Sequence, residues 1–193
     1  MWIHHLTHIE NLESILKNGL MSRNKLKKDN ISFDDTANKN IIEKRNELNN
    51  YIPFHINKLQ KEQGIPYNYQ VCNHHKPENM IFLNYNTDNL SNYNIKCFLY
   101  HPTSKYTKEF SLNDFENKLI FEEKKLIKDG KLDYKDNKIQ QFLMSEVLIN
   151  STIFLDKNWI IISYSEIQKQ KIMKILKKFN INIPVYIDSK VFV

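Results

Sequence analysis

Glu146 and Arg45 are the residues whose chemistry fits least easily with their neighbours. Glu146 is the lone carboxylate of the apolar run Phe142-Leu143-Met144-Ser145-Glu146-Val147-Leu148-Ile149. A carboxylate in such surroundings needs hydrogen bonds or a cation, or it becomes neutral. Groups of this kind are active-site candidates, although a structural ion pair leaves the same signature. If the segment around Arg45 is helical, Arg45 shares a side with Ile41 and Leu48 at i, i+4 and i+7 spacing. An inward guanidinium must find an anionic partner or a ligand, because an unpaired buried charge is costly. A snorkelling side chain whose stem covers apolar surface is the plainer reading, and spacing alone favours it.

Histidines form a second group. His4, His5 and His8 cluster at the N-terminus, and His74-His75 stands apart. Metal binding is one reading, but no HExxH or Cys/His zinc pattern accompanies them, so no metal is expected. His5 and His8 could instead hydrogen-bond a polar ligand at a strand-to-helix turn, or be ordinary turn and surface residues. The sequence contains no G-x-S-x-G, P-loop or GxGxxG, so a bound nucleotide would have to be held in some other way.

These groups need elements to position them. Residues 3–6 fit a short strand. A helix is expected from Thr7, where Thr7 and Glu10 match a T-x-x-E capping box. Leu12, Ile15 and Leu16 recur at helical spacing, and Gly19 fits a left-handed C′ position. Residues 21–40 are polar and aperiodic and read as a long loop, of a length that is usually functional or disordered. A short helix is expected near residues 41–48, then a strand over 51–56 in which Pro53 indicates an edge or a strand start. Residues 58–78 read as irregular, 80–85 and 95–101 as strands. Residues 112–128 read as an amphipathic helix with Phe115, Leu119 and Leu126 on one face, ended by Gly130.

Residues 139–155 are ambiguous: Ile139, Phe142 and Leu143 fit a helix face, whereas residues 146–149 also fit a strand. The chain closes with a buried strand (159–164), a helix (166–179, with Ile172, Ile175, Leu176 and Phe179 inward) and a strand (184–187). Strands and helices mix without regular alternation, which points to α+β. No repeat or linker is visible, so one domain over 1–193 is expected.

Composition narrows the classes. A chain of 193 residues with 41% hydrophobic content can bury a core. A net charge of +6 favours polyanionic partners, since phosphate contacts release counterions, though a solvated lysine-rich surface gives the same charge. Cys72 and Cys97 form no CxxC pair, which suggests a reducing cytosol. The N-terminus lacks a signal peptide's basic and long apolar regions, and no apolar run approaches a membrane span. A cytoplasmic protein with no membrane partner is expected.

Several stretches together resemble the DarT toxins, a family of nucleic-acid ADP-ribosyltransferases. His4-His5-Leu6-Thr7-His8-Ile9-Glu10-Asn11-Leu12, with Ile15-Leu16 and Gly19-Leu20, is similar to the family's opening motif. Glu43-Lys44-Arg45-Asn46 and Tyr51-Ile52-Pro53-Phe54 resemble its arginine helix and the strand that follows. Ser145-Glu146-Val147-Leu148-Ile149 resembles the strand bearing its catalytic glutamate, and 159–187 follows its C-terminal layout. The middle departs: the family's short Pro- and Met-containing turn is replaced by a longer passage through Gln63-Gly64-Ile65-Pro66-Tyr67 to Asn79-Met80.

The resemblance implies an ADP-ribosyltransferase-like split, curved mixed sheet with flanking helices, and NAD as co-substrate without a Rossmann domain. His5 matches the NAD-binding histidine, Thr7, His8 and Asn11 match neighbours that support or contact the cofactor, and Arg45 and Glu146 match the catalytic pair. Glu146 would steady the electron-poor sugar formed as nicotinamide departs. Arg45 would grip the phosphates through forked hydrogen bonds. The implied acceptor is thymidine in single-stranded DNA, with RNA as the alternative, and Phe54, Tyr67 and Tyr69 could stack on an unpaired base. A toxin–antitoxin or phage-defence setting is implied, with an antitoxin or ADP-ribose-removing macrodomain as partner. A non-catalytic nucleic-acid-binding module and an NAD glycohydrolase are the rival classes.

Overall fold

A computed structural model describes residues 1–56, 66–90, 93–127, 133 and 135–192, with only the backbone for 66 and 67. Strand β1 (Trp2–His8) pairs antiparallel with β3 (Met80–Asn86) along its whole length, from Trp2–Asn86 to His8–Met80. Among the described residues, its other edge meets β2 (Ile52–Ile56) at Ile3–Ile56 and His4–His55. Beyond β2 come β6 (Glu146–Ile149), β4 (Ile95–Leu99) and β5 (Lys108–Phe110), all antiparallel. Beyond β3 come β7 (Ile160–Ser163), antiparallel, and β8 (Val185–Ile187), parallel to β7. The order β5-β4-β6-β2-β1-β3-β7-β8 makes a mixed sheet in an α+β fold, as expected. Among the described residues, its halves, β5-β4-β6-β2 and β1-β3-β7-β8, are joined at the short β1–β2 seam.

Both faces of the sheet are covered. Ile3, Phe54, Val147, Ile149 and Trp159 belong to the larger core, where Tyr85 stacks on Trp159 at 4.4 Å between ring centroids. Helices α5 (Leu112–Leu126) and α7 (Glu166–Lys178) add Phe115 and Leu119, and Ile172 and Leu176, to it. On the opposite face a smaller cluster joins Leu6, Met80 and Phe82 to Phe192 and to Val71 and Cys72 of α4 (Pro66–His75). Both cysteines are buried and unbridged, and burial pushes each thiol up to about 12.

Several expectations change. Thr7 lies inside β1 opposite Ile81 and does not cap a helix. His8 caps the 3-10 turn Ile9–Asn11 through an acceptor bond from the Glu10 amide, and α1 (Leu12–Asn18) follows. Residues 21–40 are not one loop: Ser22 caps α2 (Arg23–Lys28), and α3 (Lys39–Arg45) begins before 40. Residues 58–78, read as irregular, include α4. Pro53 lies in a central strand, tolerated past the end of the paired stretch with β1. The ambiguous segment resolves into α6 (Asn137–Leu143) followed by β6. Gly130 lies outside the described residues. Among the described residues, no helix is long and apolar enough to cross a membrane.

Gly19 ends α1 with φ 84° and ψ 161°, a mirror-extended conformation and not the expected left-handed helical one. A Cβ there would stand 2.5 Å from Thr152 Cγ2 and 3.3 Å from the Ile153 carbonyl oxygen. Replacing Gly19 with alanine is therefore expected to lower stability by about 1–3 kcal/mol. Urea unfolding checks this, and an unchanged midpoint would show that the turn relaxes freely.

Candidate active site

Arg45 closes α3, and the next residue, Asn46, turns the chain away with φ 43° and ψ −117°. Glu146 opens β6 directly after the turn that ends α6. Ser145 fixes that turn: its hydroxyl donates to the Phe142 carbonyl at 2.6 Å and accepts from the Tyr100 amide at 3.0 Å. The guanidinium and carboxylate meet as a two-pronged fork, with Arg45 Nη1 to Glu146 Oε1 at 3.0 Å and Nη2 to Oε2 at 2.8 Å. Both side chains are nearly fully buried. Charge-assisted bidentate pairs of this kind fix orientation as well as energy.

Histidines flank the carboxylate. His101 Nε2 is 3.8 Å from Glu146 Oε1. Its Nδ1 lies 3.3 Å from the Thr103 amide, which can donate only, so in the neutral ring the proton sits on Nε2, toward the carboxylate. Tyr100, just before it, has φ 71°, so residues in sparsely populated backbone regions adjoin both Arg45 and His101. His55 stands beside Glu146 on the neighbouring strand.

Burial alone would lift the Glu146 carboxyl, but Arg45, His55 and His101 outweigh it and hold the group below the ordinary carboxylate value. The histidines move the other way. Burial pushes His55 down to about 4 and also lowers His101 and His5, so all three are neutral near pH 7. The pair is thus one fixed anion and one fixed cation among uncharged imidazoles.

A cavity of about 820 Å³ opens against this pair, a size typical of small-molecule and cofactor sites. Of the residues expected from sequence, His5, Thr7, Asn11, Arg45 and Glu146 line it. His5 marks where β1 and β2 part, and its Nδ1 donates to the Pro53 carbonyl at 2.8 Å. In the neutral ring this leaves Nε2 as an acceptor. Asn11 is occupied differently from a ligand contact. Its amide donates to Thr7 Oγ1 (3.1 Å) and the Asp34 carbonyl (3.0 Å), and its oxygen accepts from the Asp34 amide (2.8 Å). Arg23 forks onto Asp35 at 2.8 and 2.7 Å and reaches Asn49 Oδ1 at 3.1 Å. The stretch around Asp34 and Asp35 is thereby pinned along the cavity. His8 is not part of the lining, and its Nδ1 is 3.6 Å from Asp34 Oδ2.

The acceptor-stacking expectation needs correcting. Phe54 is fully buried in the main core against Trp159, on the face opposite Glu146's neighbour His55, and cannot stack on a base. Tyr69 is exposed on α4, but that helix lines the cavity with Gln70, Val71, His74 and His75 instead. The side chain of Tyr67 lies outside the described residues. Sequence reasoning missed His55, His101, Arg23 and Asp35. A histidine inside an otherwise apolar strand was the available signal for His55. Among the described residues, no cluster of three or more His, Cys, Asp or Glu could hold a metal ion.

The sequence model of the family described as "ssDNA thymidine ADP-ribosyltransferase, DarT" matches residues 4–193. The chain belongs to the DarT family. It is an ADP-ribosyltransferase, an enzyme class whose ADP-ribose comes from NAD, in a family that modifies thymidine in single-stranded DNA. A DarT of Thermus sp. 2.9 in complex with ADP-ribosylated ssDNA superimposes with a TM-score of 0.77 at 19% identity, over 100% of this chain and 96% of that one. The same organism's DarT in complex with NAD+ gives 0.70 at 17% identity, over 100% and 97%. Thermosipho africanus DarTG in complex with ADP-ribose gives 0.76 at 16% identity, over 99% of this chain but 50% of that one. At these identities the likeness establishes the DarT fold. No curated protein matches the sequence.

Proposed function

We propose that Arg45 and Glu146 are the catalytic pair with which this DarT-family enzyme transfers ADP-ribose from NAD to thymidine in single-stranded DNA. The observation that carries the reading is their buried fork on the wall of the cavity, next to the β1–β2 seam. A merely structural ion pair has no need to border a cavity of cofactor size.

NAD supplies an anomeric carbon that becomes electron-poor as its nicotinamide leaves. Glu146, held ionised, orients the ribose and stabilises the positive charge that develops there. Arg45 holds the phosphates through its planar fork and favours loss of the base-nitrogen proton. His5 anchors the cofactor through Nε2, the nitrogen left free by its bond to Pro53. Asn11, itself anchored on Thr7 Oγ1, supports the pocket by holding Asp34 at its rim. Each Glu146 oxygen accepts one bond from Arg45 and keeps a further lone pair with which to accept from the ribose. Positioning the acceptor nitrogen in line with the anomeric carbon completes the step.

Residues 1–193 act on this reading as one catalytic domain of a cytoplasmic toxin, in a toxin–antitoxin or phage-defence system, opposed by an antitoxin or a macrodomain that removes ADP-ribose. The likeness to DarTG, whose chain is about twice as long as the part that aligns, supports a toxin–antitoxin setting.

The test is incubation with NAD and matched single-stranded DNA, duplex DNA or RNA at several salt concentrations, read by mass shift. Modification of the single strand and little of the duplex is expected, because freeing a paired base adds a few kcal/mol. The basic chain should bind in a salt-sensitive way. Equal labelling of duplex would overturn the unpaired-base requirement. Labelling of RNA alone would move the acceptor to RNA, and NAD consumption without labelled polymer would favour a glycohydrolase.

A further inference from the structure

The strand register places Asn84 opposite His4, His4 opposite His55, and His55 opposite Glu146. Directly opposed residues of antiparallel strands project to the same face of a sheet. One row of polar side chains therefore crosses β3, β1, β2 and β6 and ends at the carboxylate. The residues next along, Phe54 and Val147, face the main core. The row lies on the other face, where α4 brings Asn68 Nδ2 to 3.4 Å from His4 Nε2. The His4 and His55 rings are 5.8 Å apart between centroids. His4, His55, Asn68 and Glu146 are each at most 4% exposed.

Such a row is costly as packing. Buried polar groups lose hydration that their bonds only partly replace, and the Oδ1 atoms of Asn68 and Asn84 are buried with no hydrogen-bond partner among the described residues. Apolar side chains would fill the same face at lower cost, as Leu6 and Phe82 do beside it. Expensive polar burial that leads to one carboxylate is accounted for by what it does to that carboxylate.

We infer that His55 is a positioning residue for Glu146: from the adjacent strand it fixes the carboxylate while Arg45 turns to the substrate, and His4 with Asn68 steadies the imidazole. The inference rests on Glu146 being the catalytic carboxylate. A neutral imidazole suits the task, because it offers an N–H without placing a second cation beside Arg45. The groups facing His55 are Glu146, which draws a proton toward it, and Arg45, His101 and His5, which oppose one.

The experiment compares full-length wild type with His55→Phe and His55→Gln. It reads kcat and KM for NAD on a single-stranded oligonucleotide, Tm, and the titration of the Glu146 carboxyl by carbon-13 NMR. His55→Phe is expected to lower kcat on the order of 10²-fold, as small misplacements of reacting groups do, with KM for NAD and Tm little changed. The Glu146 titration should move to higher pH, and His55→Gln should recover part of kcat. A His55→Phe enzyme with wild-type kcat and wild-type Glu146 titration overturns the inference. So does a loss of kcat that follows a fall in Tm and is not recovered by glutamine. The carboxyl titration needs no turnover: if wild type fails to modify DNA, the assigned reaction falls, while an unmoved or moved Glu146 titration still decides the role of His55.

Discussion

Replacing Glu146 with alanine is expected to abolish ADP-ribosyl transfer, a loss on the order of 10³-fold, since it removes the anion that faces the developing positive charge. The same substitution removes the carboxylate to which Arg45 is forked. Breaking a fully buried pair costs about 3–5 kcal/mol, but Arg45 lines the cavity, where water can reach it, so the fold should survive with a smaller penalty. Glu146→Gln is the cleaner companion, because it keeps an oxygen for the guanidinium while losing the charge. Single-turnover mass-shift assays, with Tm measured alongside, check both variants. A folded glutamine variant that transfers at the wild-type rate would remove Glu146 from the chemistry. The pair also ties stability to pH. The Glu146 pKa is depressed, so its contribution is complete above the ordinary carboxylate value and is lost as pH falls through the lowered one. Glu146→Gln should therefore lose less stability on acidification than wild type.

Arg45→Ala and Arg45→Lys are expected to be almost equally damaging, on the order of 10²-fold or more in kcat/KM, because an ammonium cannot reproduce the planar two-pronged geometry. A second consequence distinguishes this from general disruption. Burial raises the Glu146 carboxyl and Arg45 is the largest influence holding it down. Without the guanidinium burial prevails, and the acid limb of the kcat profile should move to higher pH in Arg45→Ala. Lysine retains a charge nearby and should restore the pH profile more than the rate. Full rescue by lysine would mean that Arg45 acts as a point charge only.

The Arg45–Glu146 pair proposed as catalytic was legible because each member broke the pattern around it: a charge in an apolar run, and a charge on the apolar side of a helix. Where two signals competed, tertiary pairing prevailed over local chemistry. Thr7 and Glu10 have the spacing of a capping box, yet the ladder to β3 extends the strand through His8 and moves the helix start along. Pro53 reads as an edge residue, and its strand is central because the ladder to β1 stops before reaching it. Helix α4 left no apolar period to find, since among its described side chains it buries Asn68 together with Val71 and Cys72. Phe54 and His55 face opposite sides of a strand buried on both, so alternation carried no information about which one meets the site. The opening-motif resemblance placed His5 at the cavity, whereas the work done by Asn11 depends on Asp34, 23 residues away, which no local spacing reveals.

On the proposed reading, the parting of β1 from β2 puts the cofactor's anchor and its chemistry on separate leaves of one sheet. His5 and Thr7 belong to one leaf, and His55 and Glu146 to the other. A molecule held by both must bridge the crease between them, where two register pairs and the His5–Pro53 bond are the links described. A bend along that crease would change the spacing between His5 and Glu146 while each leaf kept its own ladders. A cofactor that bridges the crease would act as a splint, holding the leaves in the pose in which its sugar meets Glu146, and amide exchange along β2 is expected to slow as NAD binds.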